Sequence, residues 1–226
     1  HIVAIAHAII AEAFSRTVIT PGVTTTDDVV WYFRERSRQL GLTNWFHPTV
    51  DIQRTRETPY GQSPVIHRGD LLHCDFGITY LNLATDTQQM AYVLNDGEVE
   101  APKGLQAGFA KANRLQDLHL AEMRVGLTGN AILAAILKRA RAEGLQASVY
   151  THPIGFHGHA AGTIIGLWDQ QGGVPGLGDF PLFEDTAHSI ELNVRAVVPE
   201  WGNIDVRFPL EQDVLFRKTG ASWMDQ

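Results

Sequence analysis

Residues 69–94 read GDLLHCDFGITYLNLATDTQQMAYVL. Leu71 to Tyr80 alternates as a β-strand does, with Leu72, Cys74 and Phe76 on one face and His73, Asp75 and Gly77 on the other. A turn around Leu81–Ala84 returns the chain as a second strand, Asp86 to Leu94, and Asn95–Asp96–Gly97 closes the unit. The odd feature is the acid between Cys74 and Phe76, because a buried carboxylate costs several kcal/mol unless it is paired or bound to metal. Glu191 in SIELNV repeats the pattern, and Glu211 precedes a strand beginning DVLF. An edge-strand carboxylate facing solvent, or half of a structural ion pair, would account for any one of these acids. With Asp86 included, that explanation is needed four times.

Outward from this stretch, the segment HIVAIAHAIIAEAF has apolar residues at helical spacing and opens the chain already inside a core helix. That opening predicts the C-terminal part of a longer precursor. Pro21–Gly22 turns the chain into TTTDDVVWYFRERSRQLG, where Thr25 and Asp28 have capping-box spacing and Gly41 is a stop signal. Two more helices are predicted over Leu105–Met123 and Thr128–Ala142, the second capped by Thr128 and followed by Gly144. Strands are expected at Gln146–Tyr150, His188–Val198, Asp205–Phe208 and Asp213–Phe216, and Gly172–Pro181 as a long surface loop. Paired helices alternating with antiparallel strand pairs predict an α+β domain spanning 1–226.

The chain has 226 residues, 44% of them hydrophobic and 19% charged, as expected of one globular domain with a full core. A net charge of −7 and scattered basic residues give a nucleic-acid partner no support. No apolar run is long enough to span a membrane. The single cysteine, Cys74, excludes an internal disulfide framework and any CxxC motif. The sequence has no HExxH or G-x-S-x-G, and the Gly172–Gly178 glycines do not open a helix after a strand.

Three histidines cluster in THPIGFHGHAAG: His152, His157 and His159, with Gly155 and Gly158 between them. Histidine-rich glycine loops commonly carry metal or proton chemistry. Carboxylates with one imidazole suit Mn²⁺, Co²⁺ or Zn²⁺. Four carboxylates would neutralise two divalent ions, and such a pair activates water and clamps a carbonyl oxygen.

On these motifs the chain resembles the M24 "pita-bread" metallopeptidase superfamily of methionine aminopeptidase, aminopeptidase P and prolidase. The segment 69–94 is similar to the one that supplies two Asp ligands, here Asp75 and Asp86, with the matching separation of eleven residues. SIELNVRAVVPEWGNIDVRFPLEQDVLF is similar to the segment that supplies two Glu ligands, here Glu191 and Glu211. HPIGFHGH fits the family's H-x-(I/L)-G element with a second histidine seven residues on, which puts the ligand at His152 and the second histidine at His159. A second register, on GHAAG, makes His159 the ligand and leaves Gly166 where the second histidine would stand.

The resemblance, which runs from about Ile9 to Gly220, implies a curved antiparallel sheet with helices packed on its outer face. It implies two divalent ions held by Asp75, Asp86, His152, Glu191 and Glu211. Glu191 would also move the proton, His159 would bond substrate or its oxyanion, and Arg207 would orient the final Glu. The implied reaction is hydrolysis of a peptide bond near a peptide's N-terminus, with Xaa-Pro aminopeptidase activity first and prolidase-like dipeptide cleavage second. A catalytically silent or creatinase-like relative is the remaining reading. A cytoplasmic homodimer acting on peptides, without nucleic-acid or membrane partners, completes the expectation.

The chain departs from the family pattern in three places. The histidine usual about eighteen residues before the first Asp is missing from RTRETPYG, where Glu57 stands near its position. The family's Arg-x-Glu is lengthened to Arg207-Phe-Pro-Leu-Glu211, and GTIIGLWD (162–169) is unlike the usual continuation.

Overall fold

A computed structural model of the chain describes residues 1–56 and 58–225; Glu57, set above against the family's missing histidine, lies outside them. Helix α1 (Ile2–Ala13) buries Val3, Ala6, Ile9, Ile10 and Ala13, the apolar stripe visible in the sequence. Helix α2 (Thr26–Gln39) begins with the expected capping box: Thr25 Oγ1 accepts the Asp28 N–H at 3.1 Å, and Asp28 Oδ2 accepts the Thr25 N–H at 2.8 Å. Two more helices follow, α3 (Lys103–Glu122) and α4 (Gly129–Ala142), the latter capped by Thr128.

The main sheet contains β1 (Thr49–Gln53), β2 (Leu71–Phe76), β5 (Thr87–Tyr92), β6 (Gln146–Pro153), β7 (Thr186–Val198), β8 (Ile204–Arg217) and β9 (Gly220–Trp223). Its order is β1-β2-β5-β8-β7-β6, with β9 on β8, and every pairing is antiparallel. A small hairpin, β3 (Thr79–Tyr80) and β4 (Leu83–Ala84), turns through Leu81 and Asn82, both at positive φ.

The sheet is covered by two separate cores. Helices α1 and α2 pack on Leu72, Cys74 and Phe76, with Phe33 and Phe76 stacked at 4.6 Å between ring centroids. Helices α3 and α4 pack on the even-numbered residues of β7 and β8, including Ile190, Leu192, Val194, Phe208 and Leu210. Gly108 of α3 lies against the Phe208 ring, and a Cβ there would overlap it, so the glycine sets how closely that helix approaches the sheet. The two halves meet where β5 pairs with β8, and the described register of that seam is one pair, Gln88↔Glu211.

The sequence reading needs two corrections. Strands β1 and β9 were not expected. The pieces Asp205–Phe208 and Asp213–Phe216 are one strand, unbroken in register with β7 through Pro209. Proline within a strand removes a rung donor and is confined to positions where none is needed. The strand tolerates it because Arg207, on the same side, points its N–H and C=O away from β7, to the Gln53 amide at 2.9 and 2.6 Å. Pro209 N therefore also faces away from β7, next to the end of the β5 pairing. Gly172–Pro181 is the expected loop, broken by one short 3-10 turn at Leu177–Asp179, and Asn130 of α4 ties it down by bonding Val174 and Asp179.

The capping box gives a direct test of α2. Thr25→Ala should lower unfolding stability by about 1 kcal/mol, read from chemical denaturation midpoints, while Thr25→Ser should lose far less.

Candidate metal centre

Directly opposed residues of an antiparallel sheet project from the same face, and here two neighbouring cross-strand rows carry the site. The first row runs Thr49↔Asp75↔Gln88↔Glu211↔Glu191↔Tyr150 across six strands. Two residues further along lies the second, His152↔Ser189↔Asp213, to which Asp86 is joined by its N–H on Asp213 Oδ2 at 3.1 Å. The rows stand about 7 Å apart, so their side chains mingle. All five expected metal-ligand positions belong to these two rows, and they converge on the sheet face opposite the helices.

The cluster is buried. Asp86 is 4% exposed, Glu191 9%, and His152 and Glu211 1% each. Burial is the first cause that pushes the Asp75 carboxyl up to about 8 and Glu191 up to about 9, with the neighbouring Glu211 charge second. Asp86 and Asp213 are held well above the usual carboxylate range, again by burial first.

His152 donates Nδ1–H to the Pro153 carbonyl at 3.1 Å, which leaves the Nε2 lone pair aimed inward. Nε2 stands 3.6 Å from Asp86 Oδ2 and 3.5 Å from Glu211 Oε1, too far for hydrogen bonds. Ligand atoms around one divalent ion stand roughly 3.0–3.5 Å apart. Among the described residues, His152 Nε2, Asp75 Oδ1, Asp86 Oδ1 and Asp213 Oδ1 are buried without a hydrogen-bond partner. Three overlapping groups each bring their donor atoms within 4.8 Å: Asp75, Asp86 and Glu211; His152, Glu191 and Glu211; and Asp86, His152 and His159. Buried acids, orphaned donor atoms and an oxygen-rich donor set fit divalent metal.

His159 occupies an outer layer. It is exposed, its ring lies 4.4 Å from that of His152, and Trp45 meets it edge-on at 5.4 Å. Trp45 is itself held by its indole N–H on the Thr85 carbonyl at 2.8 Å. Tyr150 and Trp168 continue the aromatic wall.

The sequence matches the description of metallopeptidase family M24 over residues 1–215. The chain belongs to metallopeptidase family M24. No curated protein sequence matches it. The M24 chain superposes on the X-Pro aminopeptidase of Thermotoga maritima with a TM-score of 0.73 at 21% identity, covering 98% of this chain and 58% of that one. The prolidase of Pyrococcus horikoshii gives 0.70 at 17% identity, covering 100% and 61%. The methionine aminopeptidase of Rickettsia prowazekii gives 0.69 at 13% identity, covering 96% and 91%. These likenesses establish the pita-bread fold. The M24 chain spans less than two thirds of the aminopeptidase and the prolidase.

One expected contact is not made. Arg207 was expected to orient Glu211, but the two lie four residues apart on an unbroken strand, about 13 Å along it. The Arg207 guanidinium instead lies over the Trp168 ring at 5.2 Å, and its charge acts on Glu191. Conversely, the sequence reading passed over Gln88, Ser189, Asp213 and Tyr150. Each stands two residues from an expected ligand on the same strand face, and that period-two offset was the available signal. His188 and His119, buried and pushed down to about 4 and about 3, lie off these rows.

The raised carboxyls set a pH dependence. Asp75 and Glu191 hold protons in the metal-free fold that the unfolded chain releases above about pH 4, so these groups make stability fall as pH rises toward 8–9. Divalent metal competes with those protons. The rise in Tm on adding Mn²⁺ should therefore grow between pH 6 and pH 8.5, and a constant shift measured by scanning calorimetry would contradict it.

Proposed function

We propose that this chain is a dinuclear metallopeptidase that hydrolyses a peptide bond near a peptide's N-terminus, with Xaa-Pro aminopeptidase-like specificity. The observation that carries the reading is the pair of buried rows, which gathers Asp75, Asp86, His152, Glu191 and Glu211 with donor atoms left unpaired. Those five side chains would hold two divalent ions, Mn²⁺, Co²⁺ or Zn²⁺. When bound, the ions lower the pKa of water and polarise the scissile carbonyl.

The protein's own groups supply the rest. His152 presents Nε2 inward because Nδ1 is committed to Pro153. Glu191 has one oxygen, Oε1, held by Gln88 at 2.6 Å. With that oxygen anchored, and with its own proton displaced when cations bind, the Glu191 carboxylate would take a proton from the attacking water and return it to the leaving amine. His159, one layer outward, is placed to bond the substrate carbonyl or the oxyanion that forms from it. Trp45, Tyr150 and Trp168 line the approach with aromatic surface, which supports a substrate carrying a proline ring.

Glu191→Gln should lower kcat by roughly 10²–10⁴-fold. A variant with both metals retained and near-full activity would sink the proton-transfer role. Substrate length is read separately. A pentapeptide beginning Xaa-Pro should be cleaved faster than the Xaa-Pro dipeptide, with products resolved by mass. Cleavage confined to the dipeptide would instead make the chain a prolidase. A protein with a full metal complement and no turnover on any peptide would be a silent relative.

A further inference from the structure

We propose that Gln88 is the positioning residue of the centre, a neutral clamp that holds Glu191 and Glu211 side by side with their charge kept for cations. The assignment rests on the metal-centre reading above. Glu191 and Glu211 are direct cross-strand partners, and like charges placed so repel. Gln88 resolves this with one amide. Its Nε2 donates to Glu191 Oε1 at 2.6 Å and to Glu211 Oε2 at 2.8 Å, so both of its N–H bonds go to carboxylates. Ser189 Oγ donates to the remaining Glu211 oxygen, Oε1, at 2.7 Å.

The amide can act this way in one orientation only. With both acids ionised, as cation binding requires, a flipped amide would set its carbonyl oxygen against two carboxylate oxygens. The orientation is set from behind by His73, whose Nε2 lies 2.9 Å from Gln88 Oε1 and must donate to it. His73 Nδ1 in turn faces Asp51 Oδ2 at 3.4 Å, and that contact holds the Asp51 carboxyl below its usual range. The relay Asp51–His73–Gln88 therefore runs from β1 through β2 and β5 into β7 and β8. It crosses the seam between the two halves at its described register pair. A lysine or arginine could join the two glutamates as well, but its fixed charge would take the place of a metal ion. A leucine or methionine would leave the two acids facing each other without a donor.

The test uses Co²⁺ as probe on metal-stripped protein, with binding followed by calorimetry and coordination by the visible d–d spectrum. Gln88→Met should weaken Co²⁺ binding by about 10–100-fold and alter the band positions or intensities. His73→Met, which leaves the amide in place without its anchor, should shift both readouts in the same direction by less. Thermal unfolding of the metal-free variants separates loss of the fold from loss of the clamp, and if Gln88→Met does not fold, His73→Met decides. Wild-type affinity and spectrum in a folded Gln88→Met, or in His73→Met where it must decide, overturn the assignment while leaving the peptidase reading standing. Wild-type protein that takes up no Co²⁺ overturns the metal centre itself, and the clamp with it.

Discussion

Five largely buried carboxylates packed on one sheet face are what the rest of this structure has to accommodate. Asp75, Asp86, Glu191, Glu211 and Asp213 occupy two adjacent rows, and burial raises the carboxyls of Asp75, Asp86, Glu191 and Asp213. A fold that keeps such a cluster must either hold protons on the acids or take up cations, because its own side chains bring little positive charge among them. The cation whose charge reaches Glu191 is Arg207, and its guanidinium is spread over Trp168 rather than inserted among the acids. The deficit of positive charge is what bound cations would make good at this candidate centre. The acids are arranged by neutral donors, namely Gln88, Ser189 and the Asp86 backbone N–H, none of which cancels their charge.

The cluster is affordable because the fold separates stability from the site. Each half of the sheet has its own pair of helices and its own apolar core, and those cores lie on the face away from the acids. Alternation makes the separation possible: Leu210 and Val214 pack under α3 and α4 while Glu211 and Asp213, on the same strand, point the other way. The seam between halves is the weakest place to pair strands and the best place to gather side chains from both. A single described rung, Gln88↔Glu211, closes it, and the Gln53 amide caps β8 beyond it in place of a further strand rung.

Much of this was legible in the sequence where the determinant is local. The helix starts followed from Thr25 with Asp28 and from Thr128, and the β2 faces followed from the alternation of Leu72, Cys74 and Phe76. Asp75, Asp86, Glu191 and Glu211 stood out because an acid in an apolar strand is locally anomalous. What escaped depends on pairing across long separations. Gln88 is unremarkable in TDTQQMAY until β8, more than a hundred residues away, is laid beside it. The continuity of β8 through Pro209 is set by its register with β7, and the backbone of Arg207 beside it is met by the side chain of Gln53, 154 residues earlier. Strand β1 carries a weak apolar pattern, TVDIQ, and is recruited by its register with β2.

The same distinction bears on the two histidines. Spacing alone allowed either His152 or His159 to be the ligand. Strand register places them differently: His152, next to last in β6, lies on the second row with its inward nitrogen near three acids, whereas His159 lies on the following loop against Trp45. A loop position beyond the sheet edge suits a group that meets substrate, because the loop can hold an imidazole over the row without inserting it between the acids. In the reading proposed above, the inner imidazole would serve the cations and the outer one the peptide. Their edge-to-face contact at 4.4 Å keeps the two layers in a fixed relation, so the site's polarity changes from anionic to aromatic within one ring's thickness.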